Sequence, residues 1–287
     1  MLTLTAGLSV GSIYALVALG YCVTYLAARA VNFAHGYLQV LGSFVAYSAL
    51  TQFGLPVVAA FVVTIVTLAL GNLLVEIAAI RFIREKSSHA ELVTTVGAAT
   101  IIMGFMTIIW GTDPLRVDLF SADTYRALSI GGVGPVDYLL IAATILIGSA
   151  LEILSRKTRF GLAALAVAED REAAMLRGIN VKLLSTGAFI LAGAIAGMVA
   201  PLVGAKTFAI AEVAPALAVK GFVVAAIGGI GRFRGALIFG LAIGVIEAYV
   251  ARYTDPIWQN FVVYVVFIGL MMLRPAGVFG SHGLRHV

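Results

Sequence analysis

Apolar residues run through this chain in long, nearly uncharged blocks separated by short polar connections. Nine such blocks are read at about 4–26, 31–53, 55–79, 92–111, 136–154, 185–204, 208–230, 235–252 and 257–273. Each approaches the ~20 residues that a helix needs to cross ~30 Å of hydrocarbon. A backbone in hydrocarbon must satisfy its own N–H and C=O groups, which leaves helices or a closed barrel. Barrel strands would alternate apolar and polar positions over about ten residues, and these blocks do not alternate. The pattern predicts an all-α polytopic membrane protein with about 8–9 transmembrane helices, one domain over residues 1–287. Taken literally, nine crossings place the N-terminus outside. The polar residues inside 31–53 also fit a broken or re-entrant element, which would place it inside. Gly-interrupted apolar segments near 32–42 and 221–231 echo one another, the pairing that an inverted repeat gives.

Composition supports the membrane reading. Hydrophobic residues make up 61% of the chain and charged ones 11%, against about a quarter charged in an ordinary soluble domain. The net charge of +5 resides in connections rather than in a basic face, which is a topology signal and not a nucleic-acid one. Lys and Arg cluster in 81–91 (Arg81, Arg84, Lys86), in 155–184 (Arg156, Lys157, Arg159, Arg171, Arg177, Lys182) and in the C-terminal tail. The positive-inside rule puts those segments in the cytoplasm, with Arg29, Arg232 and Arg234 at further inner turns. The 112–135 connection, with Asp113, Asp118 and Asp123, then faces outward. The lone Cys22 lies in an apolar block and forms no disulfide framework. The N-terminal MLTLTAGLSVG lacks a positive n-region, so a retained helix is expected rather than a cleaved signal.

Catalytic motifs are missing from the sequence. It has no GxxxxGK[ST] and no HExxH, and His35, His89, His282 and His286 are scattered, so neither nucleotide nor metal chemistry is indicated. Ionisable residues in the blocks are few. Glu76 and Glu152 are placed at span ends within reach of water, Glu247 is deeper and about one turn from Arg252, and Glu212 stands two turns from Lys220. Interfacial pairing is expected for Glu247 with Arg252 and for Glu212 with Lys220. Gly7/Gly11, Gly193/Gly197 and Gly240/Gly244 form GxxxG pairs suited to close helix packing. In V-N-F-A-H-G, residues 31–36, Asn32 and His35 can partner the backbone groups of a helix break, and Gly36 relaxes the backbone. The same segment suits a kinked element lining a solute path, because irregular backbone at depth needs protein or a cavity beside it. Over 156–181, Leu162, Leu165, Ala166, Ala173 and Leu176 fall on one helical stripe, flanked by Glu169, Asp170, Arg171, Glu172 and Arg177. Gly178 fits its C-terminus. An amphipathic helix of this kind suits docking into a groove of a cytoplasmic partner, or lying on the membrane surface as a connector.

Those residues carry a resemblance. Glu172-Ala173-Ala174 followed by Gly178 is similar to the EAA-x3-G signature of ATP-binding-cassette importer permeases, without the I-x-L-P that follows it in their best-known class. T-R-F-G…A-E-D-R-E-A-A-M-L-R-G-I-N-V resembles the LivH-type permeases of branched-chain amino acid importers. So do G-S-I-Y-A-L-V-A-L-G (11–20), V-N-F-A-H-G (31–36), K-G-F-V-V-A-A-I-G-G-I-G (220–231) and L-R-P-A-G-V-F-G (273–280), in the family's order along the whole chain. The resemblance implies a non-catalytic permease domain in a bacterial inner membrane, with a coupling-helix loop at about 155–184. It implies a second, LivM-like permease as heterodimer partner, two cytoplasmic ATP-binding subunits that use ATP and Mg, and a periplasmic substrate-binding protein. No cofactor is expected on this chain. Arg159, Leu165, Glu169, Asp170, Arg171, Glu172, Ala173, Ala174 and Gly178 would then couple to the ATPases. Asn32, His35, Gly36, Gly228, Gly229 and Gly231 would line the path. The implied cargo is a branched-chain or other small amino acid, with urea, short amides or carboxylates as alternatives. A stand-alone ion-coupled carrier is the rival from another class. Spans so poor in charge suit a zwitterionic or neutral solute better than a permanently charged one.

Overall fold

The computed structural model describes residues 2–81, 90–130, 132–255 and 257–280. Arg84, Lys86, His89, His282 and His286 lie outside the described residues. In chain order the helices are α1 Leu2–Ala28, α2 Ala34–Tyr47 with a π turn at Ser48–Gln52, α3 Val57–Val75 with a π turn at Glu76–Arg81, and α4 Ala90–Trp110. There follow α5 Ala122–Leu128, α6 Pro135–Lys157, α7 Arg159–Glu169, α8 Arg171–Leu176, α9 Val181–Thr207, α10 Val213–Gly228, α11 Phe233–Tyr253 and α12 Trp258–Leu273. No strand occurs among the described residues.

All nine apolar blocks are helical, and six are long and apolar enough to cross a membrane: α1, α3 with its π turn, α4, α6, α9 and α11. The blocks at 31–53, 208–230 and 257–273 form shorter helices. For the first two the reason is a break, at residues 29–33 and 208–212.

These breaks reveal a repeat. Both α1 and α9 have 27 residues. Each ends in a residue of positive φ, Arg29 (φ 56°) or Phe208 (φ 61°), the two such non-glycine positions among the described residues. Each is followed by a short helix (α2, α10), a long one (α3, α11) and another (α4, α12). The halves interlock, because the first helix of each packs along the third of the other. On α1, Gly7 lies against Gly244 and Val245 of α11, and Gly11 against Gly240. On α9, Gly193 lies against Leu68 and Ala69 of α3, and Gly197 against Thr64 and Ile65. A Cβ on Gly244 would stand 2.2 Å from the Gly11 Cα, so only bare backbone fits. The start of α1 and the end of α9 line one cavity, so these two helices run in opposite directions and the repeat is inverted. The expected echo between 32–42 and 221–231 needs correction. The counterpart of the 29–33 break is 208–212, whereas 229–232 joins α10 to α11.

The bundle has two distinct ends. One carries α7, α8, Arg29, Arg81, Arg232, Arg234 and Arg274, and is called the basic end below. The far end carries the start of α1 and the 111–134 segment, which pairs with Ala209 through Leu115 and reaches Leu2 at Gly132. The 112–135 and 155–184 connections therefore lie at opposite ends, as the charge pattern predicts.

Candidate functional site

Polar side chains gather on one face of α2. His35, Gln39 and Ser43 follow at four-residue spacing and are fully or almost fully buried, and Asn32 is buried just before the helix. The Asn32 amide donates to Asn72 Oδ1 on α3 at 3.1 Å, and His35 Nδ1 lies 3.4 Å from the same oxygen. With Nδ1 as donor, His35 turns the lone pair of Nε2 toward Gly20, where a Cβ would stand 1.9 Å away. Ser43 donates to the Ala200 carbonyl. Asn32 Oδ1, His35 Nε2 and both amide atoms of Gln39 have no protein partner. An unpartnered buried polar group costs ~1–3 kcal/mol. Gly36 serves a different need: it lets α2 cross α10, with Ala218 Cα 2.8 Å from where a Cβ would be.

A charged cluster lies in the far-end half. Lys220 Nζ donates to Glu247 Oε1 at 2.5 Å and to the Tyr14 hydroxyl at 3.2 Å, and sits 5.2 Å from the Tyr14 ring centroid. Both members of the ion pair are buried. The expected pairing of Glu247 with Arg252, and of Glu212 with Lys220, is corrected here. Arg252 donates to Thr3, and Glu212 is exposed. Both expectations stayed within one helix, while the α10–α11 hairpin brings the true partners together. The readable signal was Lys220 itself, a lone cation within an apolar block. Asn72 and Glu247 occupy matching places near the ends of α3 and α11, so each half ties its short helix to its third helix with polar groups. Glu76 also departs from expectation: it is 3% exposed, held by Arg81 at 2.8 Å and by Ser185.

The glycines at 228–231 have a packing role. Gly228 and Gly235 touch backbone to backbone, and Gly229 and Gly231 take φ of 91° and 85°. The C-terminal P-A-G-V-F-G closes over this turn, with the Val278 N–H donating to the Ile227 carbonyl.

At the basic end the expected single amphipathic helix is two. Asp170 (φ −145°, ψ 108°) breaks it, ends α7 and caps α8 by accepting from the N–H groups of Glu172 and Ala173. Gly178 (φ 84°) ends α8 with paired bonds, its N–H to Met175 and that of Ile179 to Ala174. The buried residues are Gly161, Ala164, Val167 and Ala174, not the Leu162–Leu165–Ala166–Ala173–Leu176 stripe. Gly161 lets α7 fold back under α6, with Leu154 O 2.2 Å from where a Cβ would be. Leu162, Met175 and Leu176 are exposed, Leu176 by 90%. Around them Arg159, Glu169, Asp170 and Glu172 are exposed, while Leu165, Arg171 and Ala173 are half-buried. The two helices thus form a fixed ledge with an apolar crest and charged flanks.

Comparison with known proteins is consistent with this architecture. The sequence model for "Branched-chain amino acid transport system / permease component" matches residues 3–271. The chain is 29% identical over 297 residues to the high-affinity branched-chain amino acid transport system permease protein BraD of Pseudomonas aeruginosa, covering 99% of this chain and 97% of that protein. It is 29% identical over 294 residues to LivH of Escherichia coli, covering 98% and 96%. To the probable LivH of Methanocaldococcus jannaschii it is 26% identical over 280 residues, covering 92% and 88%. Among solved structures, a chain of PsaBC from Streptococcus pneumoniae in complex with Fab shares the fold, with TM-score 0.53 and 11% identity over 97% of this chain and 94% of that one.

Proposed function

Because the chain belongs to the branched-chain amino acid transport system permease family, we propose that it is the membrane subunit of an importer powered by separate ATP-hydrolysing subunits. On this reading it lies in the inner membrane with its basic end in the cytoplasm and carries branched-chain or similar small amino acids inward. It is a non-catalytic subunit that pairs with a second, LivM-like permease and receives solute from a periplasmic binding protein. ATP and Mg belong to the partner ATPases.

The observation that carries the reading is the ledge of α7 and α8. Its Leu162, Met175 and Leu176 stand exposed among the described residues, and they sit amid Arg159, Glu169, Asp170 and Glu172 where an ATPase groove would meet them. Ala174 and Gly161 hold the ledge against the bundle, so a push on it reaches α6, α1 and α9 as a rigid-body movement. The orphan atoms of Asn32, His35 and Gln39 support a polar route through the interior.

Reconstitution tests this. With both permeases, the ATPases and the binding protein in proteoliposomes, L-leucine uptake should require ATP and should stop when Leu162 and Leu176 are both changed to Asp. Urea, acetamide and propionate are the competing cargoes. Uptake by this chain alone, abolished by dissipating a proton or sodium gradient, would overturn the reading in favour of an ion-coupled carrier.

A further inference from the structure

We infer that this chain carries a lipid site: a hollow beneath α7 that takes the start of one acyl chain of an anionic phospholipid, whose phosphate rests on Arg156, Lys157 and Arg234. This uses the proposed orientation, with the basic end in the cytoplasm, and nothing of the cargo.

The hollow is walled by α1, α6, α7, α9 and Phe233 of α11, and holds about 30 Å³. It forms where Gly161 brings α7 against the end of α6, while the Phe160 ring reaches across to Gly187 of α9. The lining is apolar except for Ser155, whose hydroxyl already donates to the Glu152 carbonyl. A buried water needs roughly two to four polar partners and would find at most one here, so the fitting occupant is apolar. The volume is about one water's share of the liquid. That excludes a free solute but admits a methylene or two of a longer chain. Leu151 and Ala188 are buried, whereas Leu154 and Leu191 are half-buried and Phe160 is exposed. The mouth therefore opens between α6 and α9, with Phe160 at its edge. Beyond it these two helices expose Leu146, Ile153, Ile190 and Met198, an apolar surface for the rest of the chain.

Charge at the mouth selects the headgroup. Arg156 and Lys157 follow Ser155, Arg234 follows Phe233, and all three are exposed. Glu152 Oε1 accepts from Arg156 at 2.5 Å and from Arg234 at 2.9 Å, which holds the two guanidiniums side by side. One carboxylate against two arginines and a lysine leaves a net positive rim, with N–H donors of both forks to spare. α7 begins at the same place, so the positive end of its dipole adds to the field. Guanidiniums bind phosphate well, and an anionic lipid offers phosphate and chain side by side in one molecule. A soluble anion would leave the hollow empty, and a choline headgroup would bring a cation to a cationic rim. With the hollow filled, the lipid props α7 against the bundle, so the firmness of the ledge depends on the leaflet around it.

Photolabelling tests the site in the complete importer, held in phosphatidylcholine nanodiscs with a little phosphatidylglycerol that carries a diazirine at the glycerol end of one chain. The label should fall on Leu154, Phe160 or Leu191, and unlabelled phosphatidylglycerol should compete with it. Phosphatidylcholine bearing the same diazirine should label these residues about tenfold less. Arg156→Gln/Arg234→Gln should lose the labelling to a similar extent. Arg156→Lys/Arg234→Lys should keep most of it, a rescue that a misfolded ledge would not give. Leu191→Trp, which plugs the mouth and leaves the rim charged, should lose it too. ATP hydrolysis should run severalfold faster with phosphatidylglycerol than without, and the glutamine pair should not respond. Equal labelling by both lipids, or labelling that survives the glutamine pair, would overturn the site. So would labelling of the permease alone that vanishes in the complete importer, because an ATPase subunit would then cover the hollow. Hydrolysis indifferent to the lipid would overturn the propping of α7. An importer labelled as expected that carries no amino acid would refute the proposed cargo and leave the lipid site standing.

Discussion

At the scale of single residues, two kinds of position carry the interior: bare glycines where helices touch, and the buried Lys220–Glu247 pair. Removing one member of a buried ion pair strands the other charge at about 3–5 kcal/mol, whereas replacing both with apolar groups is often neutral. Lys220→Met should therefore lower the melting temperature of the detergent-solubilised protein sharply, and Lys220→Met/Glu247→Met should restore most of it. A double variant as unstable as the single one would show that the pair stabilises the fold outright. Gly244→Val drives a side chain into the Gly11 backbone, and overpacking of this kind costs ~1–3 kcal/mol or more. It should melt earlier than Gly97→Val, whose Cβ would meet nothing within 4 Å. The sequence marked Gly7, Gly11, Gly240 and Gly244 as contact residues because small residues at four-residue spacing have no other use on a helix face in hydrocarbon. Their partners were not legible, nor was that of Lys220, because spacing within a helix says nothing about which distant helix arrives.

Among elements, the α7–α8 ledge shows how far periodicity reaches. Apolar spacing identified 162–176 as helical, but Leu162 and Leu176 turn outward, Leu165 is only half-buried, and the small residues Gly161, Ala164 and Ala174 turn inward. A hydrophobic stripe reports burial against something, and a single chain cannot say whether that something is itself. Asp170 was read as a contact residue, yet its carboxylate is spent on the first N–H groups of α8. Asp170→Ala removes that cap, worth ~1 kcal/mol, and should fray α8. We expect fewer ATPase subunits to co-purify with it while its content in the membrane stays the same. Asp170→Asn, which can still cap, should retain them. Gly161→Val should separate ATPase binding from membrane insertion more severely, because α7 can no longer lie under α6.

Across the whole molecule, the nine apolar blocks gave the helices nearly complete, while the inverted repeat emerged only from the backbone. Arg29 and Phe208 share a positive φ and no chemistry, so no comparison of side chains would pair them. Interlocking has a measurable outcome. With α1 on α11 and α9 on α3, neither half contains its own main contacts. Residues 1–157 and 158–287, expressed separately, should each be degraded. Expressed together as two chains they should co-purify and resist protease. Stable accumulation of either half alone would refute the interlocked arrangement.

The α1–α11 seam also governs how the protein must be made. Helix α1 leaves the ribosome more than two hundred residues before α11, and its glycine face is covered only once α11 is made. Until then that face is open to the insertion machinery and to quality-control proteases. A stalled or truncated product therefore displays an orphan small-residue surface, which the cell can recognise as a mark of incompleteness.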